Sequence, residues 1–219
     1  SVHAYGGGNR GEMVRLTRVR LNPQRRATWR LQSNLEALHA AVEKGFPTSD
    51  HGRVLWRLDS NEVGPVLYVV SESEPDYTGL VEECGWPRLD YGEQVDSTGY
   101  DDYLNSMHGG QRVVFRLRFN SVKAKNHCSK LTSVIGENAI ALASSRLEPA
   151  LDVESIRQVG EEHPVLVKSG HRFNPTILTF EGSARVKDAG ELRRMLTAGI
   201  GRMKAYGCGL LTVMPVPED

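Results

Sequence analysis

An α+β fold assembled from two β/α units in tandem is the class this 219-residue sequence predicts. Three observations carry it. Apolar and polar residues alternate with period two in two separate places, "VRLTRVRLN" (14–22) and "QRVVFRLRFN" (111–120), as half-buried strands require. Helical periodicity recurs after each of them, at 34–44 and 188–201. Hydrophobic content of 39% and charged content of 25% suit a globular domain.

In the first unit, Val14, Leu16, Val19 and Leu21 are separated by polar residues. The change of phase near Thr17–Arg18 predicts a strand with a bulge. A helix over 34–44 follows. Ser33 and Glu36 fit an S-x-x-E capping box, Leu35, Leu38, Val42 and Phe46 form an apolar stripe, and Gly45 and Pro47 end the helix. "VLWRLDS" (54–60) and "PVLYVVSES" (65–73) read as two strands joined by "NEVG" as a hairpin. Residues 72–102 read as irregular or weakly helical. The resulting order, β-α-β-β, is three-quarters of a ferredoxin-like unit.

The second unit opens on the clearest strand, 111–120. Val113, Phe115, Leu117 and Phe119 fall on one face, and Arg112, Arg116 and Arg118 on the other. Residues 121–160 predict a loop and a helix at 137–147. "PTILTFEGSARV" (175–186) is a strand, with "HPVLVKSGHRF" (163–173) as its expected hairpin partner. "DAGELRRMLTAGIG" (188–201) is a helix and "GLLTVMPV" (209–216) the final strand. The expected domains are 13–108 and 109–219, and the Gly-rich segment 1–12 reads as a leader or unstructured extension.

Composition narrows the chemistry. No apolar run approaches the roughly 18 residues of a membrane span, and residues 1–12 have no apolar core for a signal peptide. Cys84, Cys128 and Cys208 are odd in number and far apart, without a CxxC pair, which fits a reducing cytoplasm. Seven histidines show no HExxH pattern, and GxSxG is absent. A mechanism without metal or cofactor is the expectation. Net charge is zero, yet residues 72–102 hold ten acids against the single base Arg88, while Met13 to Arg30 holds six arginines and no acid. That segregation permits a positive surface for a phosphate-bearing partner.

"GIGRMKAYGCGLLTV", Gly199 to Val213, packs four glycines around Arg202 and Lys204. It is no dinucleotide fingerprint, because the third glycine position is Lys204, and no Walker loop, because Gly-Lys-Ser/Thr is missing. Glycines Gly199, Gly201, Gly207 and Gly209 give either a tight helix-to-strand connection or a loop whose amides approach an anion. Arg116 and Arg118 suit either phosphate contacts or a solvated outer face. His39 lies roughly 40° from Leu35 on the helical wheel, at the stripe's edge, and is either packed structure or a proton-transfer group. Lys44 lies almost opposite the stripe.

The C-terminal "GIGRMKAYGCGLLTV" resembles the glycine-rich signature of the CasE family, the CRISPR repeat-processing endoribonucleases of type I-E Cascade. "LTRVRLNP", "ALHAAVEKGFP" with its helix histidine, "VLWRL", "VFRLRFNSVK" (similar to the family's FRLRxNPxK element) and "LTFEGSARVKDAGELRRMLTAGIGR" match in the same order. The resemblance covers nearly all of 13–216 except the acidic stretch and 126–165. It implies two tandem ferredoxin-like (RRM-like) domains and metal-independent cleavage of a repeat hairpin. In the chemistry that the resemblance implies, the ribose 2′-hydroxyl would attack the adjacent phosphate and leave a 2′,3′-cyclic phosphate and a 5′-hydroxyl. His39 matches the family's catalytic histidine and Lys44 a lysine that steadies transition-state charge. Arg116, Arg118, Lys123, Arg202 and Lys204 are the implied RNA contacts, and the other Cascade subunits are implied partners. Two departures stand out: Glu36 occupies a position where some relatives carry tyrosine, and Asn120-Ser121 replaces Asn-Pro. A non-catalytic RNA-binding scaffold, with His39 structural, is the competing reading.

Overall fold

The computed structural model describes residues 14–87, 94–125 and 130–218. The segment expected as a leader, 1–12, and Cys128 lie outside them. Strands β1 (Arg15–Arg20), β2 (Val54–Ser60), β3 (Pro65–Ser71) and β4 (Val95–Gly99) form one antiparallel sheet in the order β2-β3-β1-β4. Helices α1 (Arg26–Ser33) and α2 (Leu35–Glu43) lead from β1 to β2, and α3 (Thr78–Cys84) from β3 to β4. The missing quarter of the first ferredoxin-like unit is therefore α3 and β4, inside the acidic stretch that the sequence predicts as irregular or weakly helical; the helix is there, and the strand is the part that reading lacks. β4 reads Val-Asp-Ser-Thr-Gly, an edge strand with one large apolar residue, so no alternation marks it. Its hold on β1 is partly electrostatic: Asp96 pairs with Arg18 and, at 3.5 Å, with Arg20.

That pairing also changes the reading of the charge. Arg15 pairs with Glu74 at 3.3 Å, and Arg25 donates to the carbonyls of Glu82 and Glu83. The arginine-rich start and the acidic stretch, segregated along the sequence, meet in space. The N-terminal arginines of β1 are spent on protein partners.

β1 carries no bulge; its register with β3 and β4 is continuous. The phase change has another cause. Val19 and Leu21 belong to the core under the helices with Leu38, Val42 and Trp56, whereas Val14 and Leu16 pack with Leu55 and Val70 against the second unit. Both faces of this sheet are covered. α2 starts one residue later than the S-x-x-E pattern predicts, because α1 runs through Ser33. Asn34 is the cap, its Oδ1 accepting from the Ala37 amide at 3.0 Å. Ser33 donates to the Arg30 carbonyl at 3.2 Å, and Glu36 Oε1 accepts from the Val167 amide at 3.2 Å. There is no capping box.

After the short α4 (Asp101–Asn105), the second unit repeats the plan. β5 (Arg112–Asn120), β8 (Leu151–Glu162), β11 (Ile177–Val186) and β12 (Leu211–Pro215) form an antiparallel sheet in the order β12-β5-β11-β8. α5 (Gly136–Leu147) and α6 (Ala189–Ala198) are its helices, and β6 (Val122–Ala124) and β7 (Leu131–Ser133) form a small hairpin before α5. Besides β5, the partner of β11 is β8, whose half-exposed, charge-rich sequence hides its strand character. Residues 163–173 pair with themselves instead, as the hairpin of β9 (Leu166–Lys168) and β10 (His171–Phe173). The chain thus holds two tandem ferredoxin-like domains.

Arg57 clamps them together. Only 2% exposed, it holds Asp59 at 2.8 and 2.9 Å and donates across to the carbonyls of Arg116 and Leu210 and to Thr212 Oγ1. An arginine fork satisfied on every side tolerates that burial; an unpaired one would not. No helix among the described residues is long and apolar enough to cross a membrane.

Candidate functional site

Between α6 and β12 the chain makes a compact loop around a single 3₁₀ turn, Lys204–Tyr206. Gly199, Gly201, Gly207 and Gly209 all have positive φ. At Gly209 (φ 92°) a Cβ would stand 2.5 Å from the Ile200 carbonyl oxygen, and at Gly207 (φ 76°) 2.7 Å from the Trp56 ring. These two glycines let the loop close on itself and on β2. Four further bonds fix it. Arg118 donates to the carbonyls of Tyr206 and Gly207 at 2.9 and 3.1 Å, Trp56 Nε1 donates to the Ala205 carbonyl at 3.2 Å, and the Gly209 amide donates to the Arg118 carbonyl at 2.8 Å. Cys208 is part of this packing: burial pushes its thiol up to about 12, so it stays protonated.

The loop lies against α2 and brings Tyr206 to His39, their ring centroids 5.4 Å apart at 43°. His39 is half-buried. Its Nδ1 is sealed from solvent with no hydrogen-bond partner, which leaves Nε2 as the ring nitrogen a ligand can reach. No carboxylate pairs with it among the described residues.

Cations gather on the same loop. Arg202 is exposed and makes no ion pair among the described residues. Lys204 is half-buried; burial first, and then the charge of Arg53, hold its ammonium below the usual value. Lys204 and Arg53 repel each other, neither is paired with a carboxylate among the described residues, and a phosphate group placed there relieves the repulsion.

The structure does not bring every candidate residue here. Lys44 caps α2 at its C-terminal end and lines a hollow with Arg30, Ala37, Ala41 and Tyr77, which neither His39 nor Tyr206 lines. Lys123 is exposed on β6, beside Lys125. Arg116 is held between Asp59, at 3.3 Å, and Glu181 in the interdomain cleft. Arg118, 7% exposed, is committed to Glu162 at 2.9 Å and to the loop carbonyls. The alternation of β5 correctly puts both arginines on one face, but that face is covered. Tyr206, Trp56 and Arg53 are the site residues that the sequence reading passes over. Tyr206 sits inside the quoted signature, but only tertiary contact shows that it meets His39.

The family model of the CRISPR associated protein matches residues 15–215. The CRISPR-associated endoribonuclease Cse3 of Thermus thermophilus is 28% identical over 222 residues, covering 91% of this chain and 99% of that protein. The CRISPR system Cascade subunit CasE of Escherichia coli is 28% identical over 119 residues, 49% of this chain and 60% of that protein. Among solved structures, Thermus thermophilus Cse3 bound to an RNA representing a pre-cleavage complex matches with a TM-score of 0.75 and 27% identity, over 93% of this chain and 100% of the other. With both ferredoxin-like domains, the glycine-rich loop and the helix histidine in one continuous match, the chain belongs to the CRISPR associated protein family, with Cse3 and CasE among its relatives.

Proposed function

We propose that this chain is an endoribonuclease that cuts CRISPR repeat stem-loops in precursor RNA and keeps the mature RNA as a Cascade subunit in the cytoplasm. The carrying observation is the His39 imidazole set against a compact, hydrogen-bonded loop that bears Arg202 and Lys204. Similarity to Cse3 over 91% of the chain supports it. The 2′-hydroxyl next to the scissile phosphate gives up its proton, O2′ bonds to phosphorus, and the bond to O5′ breaks with O5′ taking a proton. The products are a 2′,3′-cyclic phosphate and a 5′-hydroxyl. His39 Nε2 serves as general base or general acid. The loop cations stabilise the charge that builds on the phosphoryl oxygens. Lys44 joins them only if RNA binding draws its long side chain around the end of α2.

Cleavage is expected to proceed fully in EDTA. A single deoxyribose immediately 5′ of the scissile phosphate is expected to abolish cutting while leaving hairpin binding intact. Loss of activity on chelation, or cutting of the deoxy substrate, rules this chemistry out. The second reading, a non-catalytic RNA scaffold, draws on Lys44 standing apart from His39 and on Glu36 holding Val167. A single discrete cut in the cognate hairpin excludes it.

Salt dependence tests the loop cations. Each phosphate neutralised on single-stranded or duplex RNA contributes a log–log slope of roughly 0.7–0.9 to the loss of affinity with salt. The double substitution of Arg202 and Lys204 by alanine is expected to make the slope shallower by about one to two. Thermal stability should barely move, because neither residue has an ion pair to lose among the described residues. An unchanged slope in a folded double variant returns the loop to a purely structural role.

A further inference from the structure

We propose that Tyr206 is the positioning residue of His39, its ring doing the work that a hydrogen bond to the far ring nitrogen does for most functional imidazoles. The inference rests on the reading of His39 as the proton-transfer group. An imidazole acts through one nitrogen, and its aim is normally set by what the other nitrogen bonds. Here that second handle is missing: Nδ1 is buried and bonds to nothing. What touches the ring instead is Tyr206, tilted at 43° with centroids 5.4 Å apart, within the range of attractive aromatic pairs.

Tyr206 is itself held from several directions. Its carbonyl accepts from Arg118 at 2.9 Å, its amide donates to the Met203 carbonyl at 3.0 Å, and the preceding carbonyl, of Ala205, accepts from Trp56. Met203 and Gly207, on either side of the 3₁₀ turn, both take left-handed backbone, with φ of 62° and 76°. A non-glycine residue held there signals a loop whose shape is over-determined by its surroundings. The Tyr206 hydroxyl makes no hydrogen bond among the described residues, so the ring is the engaged part of the side chain. One face of the imidazole is thereby fixed, Nδ1 is kept dry, and Nε2 is turned outward. The glycine-rich loop then has two tasks: it presents cations to phosphate, and it aims the imidazole from α2.

The experiment is single-turnover cleavage of the cognate hairpin by the full chain at saturating protein, with hairpin affinity measured on the uncleavable 2′-deoxy substrate. Tyr206→Ala is expected to slow cleavage by about 10–100-fold with affinity unchanged, the scale of a misaimed reacting group. Tyr206→Phe, which keeps the ring, is expected to cut at the wild-type rate. Combining Tyr206→Ala with His39→Ala is expected to be no slower than His39→Ala alone, because an aiming role vanishes with the group it aims. Wild-type cleavage by Tyr206→Ala overturns the proposal. So does a Phe variant as slow as the Ala variant, which would make the hydroxyl the active part, or a double variant slower than His39→Ala. Weakened hairpin affinity in Tyr206→Ala overturns it as well, by showing a loop contact with RNA instead. If His39→Ala itself cuts normally, the reading of His39 fails; if only Tyr206→Ala cuts normally, that reading stands and Tyr206 alone loses its role.

Discussion

His39→Ala is expected to lose cleavage by ~10²–10⁴-fold while binding the repeat hairpin with unchanged affinity. That loss corresponds to roughly 3–5 kcal/mol of barrier, too much for a packing effect alone at a half-buried position. The reason is local. His39 lies at the flank of α2, outside the core formed by Leu38 and Val42, so removing its ring opens no cavity there. It has no ion pair and no hydrogen bond to lose among the described residues. Stability should therefore stay within about 1 kcal/mol of wild type. The measurements are single-turnover cleavage, affinity for the deoxy hairpin and a thermal melt, on one preparation. A His39→Ala protein that cuts at the wild-type rate would leave the site without a proton-transfer group and favour the scaffold reading.

How much of this was legible without coordinates depended on how local each signal is. β5 and α2 announce themselves because one face of each is apolar and the other polar, at the right period. α3, β4 and β8 do not. β4 and β8 are edge strands paired on one side only, and their sequences are dominated by the charges and small polar residues that such edges carry. β1 misled in a different way: its two apolar pairs serve two different cores, which mimics a bulge. At the candidate site, the signature loop and the helix histidine were visible as residues, but their meeting was not. The His39–Tyr206 contact joins elements from different domains, and no periodicity reports it. The glycines were legible as a demand for positive φ, while what they approach, Trp56 and the Ile200 carbonyl, was not.

Arg118 separates the two meanings that an arginine on β5 can have. If it contacted RNA, Arg118→Ala would keep its stability and lose about one unit of salt slope. The structure supports the opposite expectation. The residue is 7% exposed, pairs with Glu162 at 2.9 Å, and carries the Tyr206 and Gly207 carbonyls on one nitrogen. A solvated ion pair is worth at most about 1 kcal/mol, and breaking a fully buried one costs about 3–5 kcal/mol. Arg118 falls between, because Glu162 is half-exposed and rehydrates whereas the Gly207 carbonyl is buried and does not. Arg118→Ala is thus expected to cost about 3 kcal/mol, chiefly by orphaning loop carbonyls. With the loop loosened, Tyr206 loses its place beside His39, so cleavage should fall about 10-fold or more even where the protein remains folded. Denaturant melts and single-turnover cleavage below the melting range read both effects, and the salt slope should stay as in the wild type. A fully stable Arg118→Ala protein with a shallower salt slope would move this arginine from beneath the loop to the RNA.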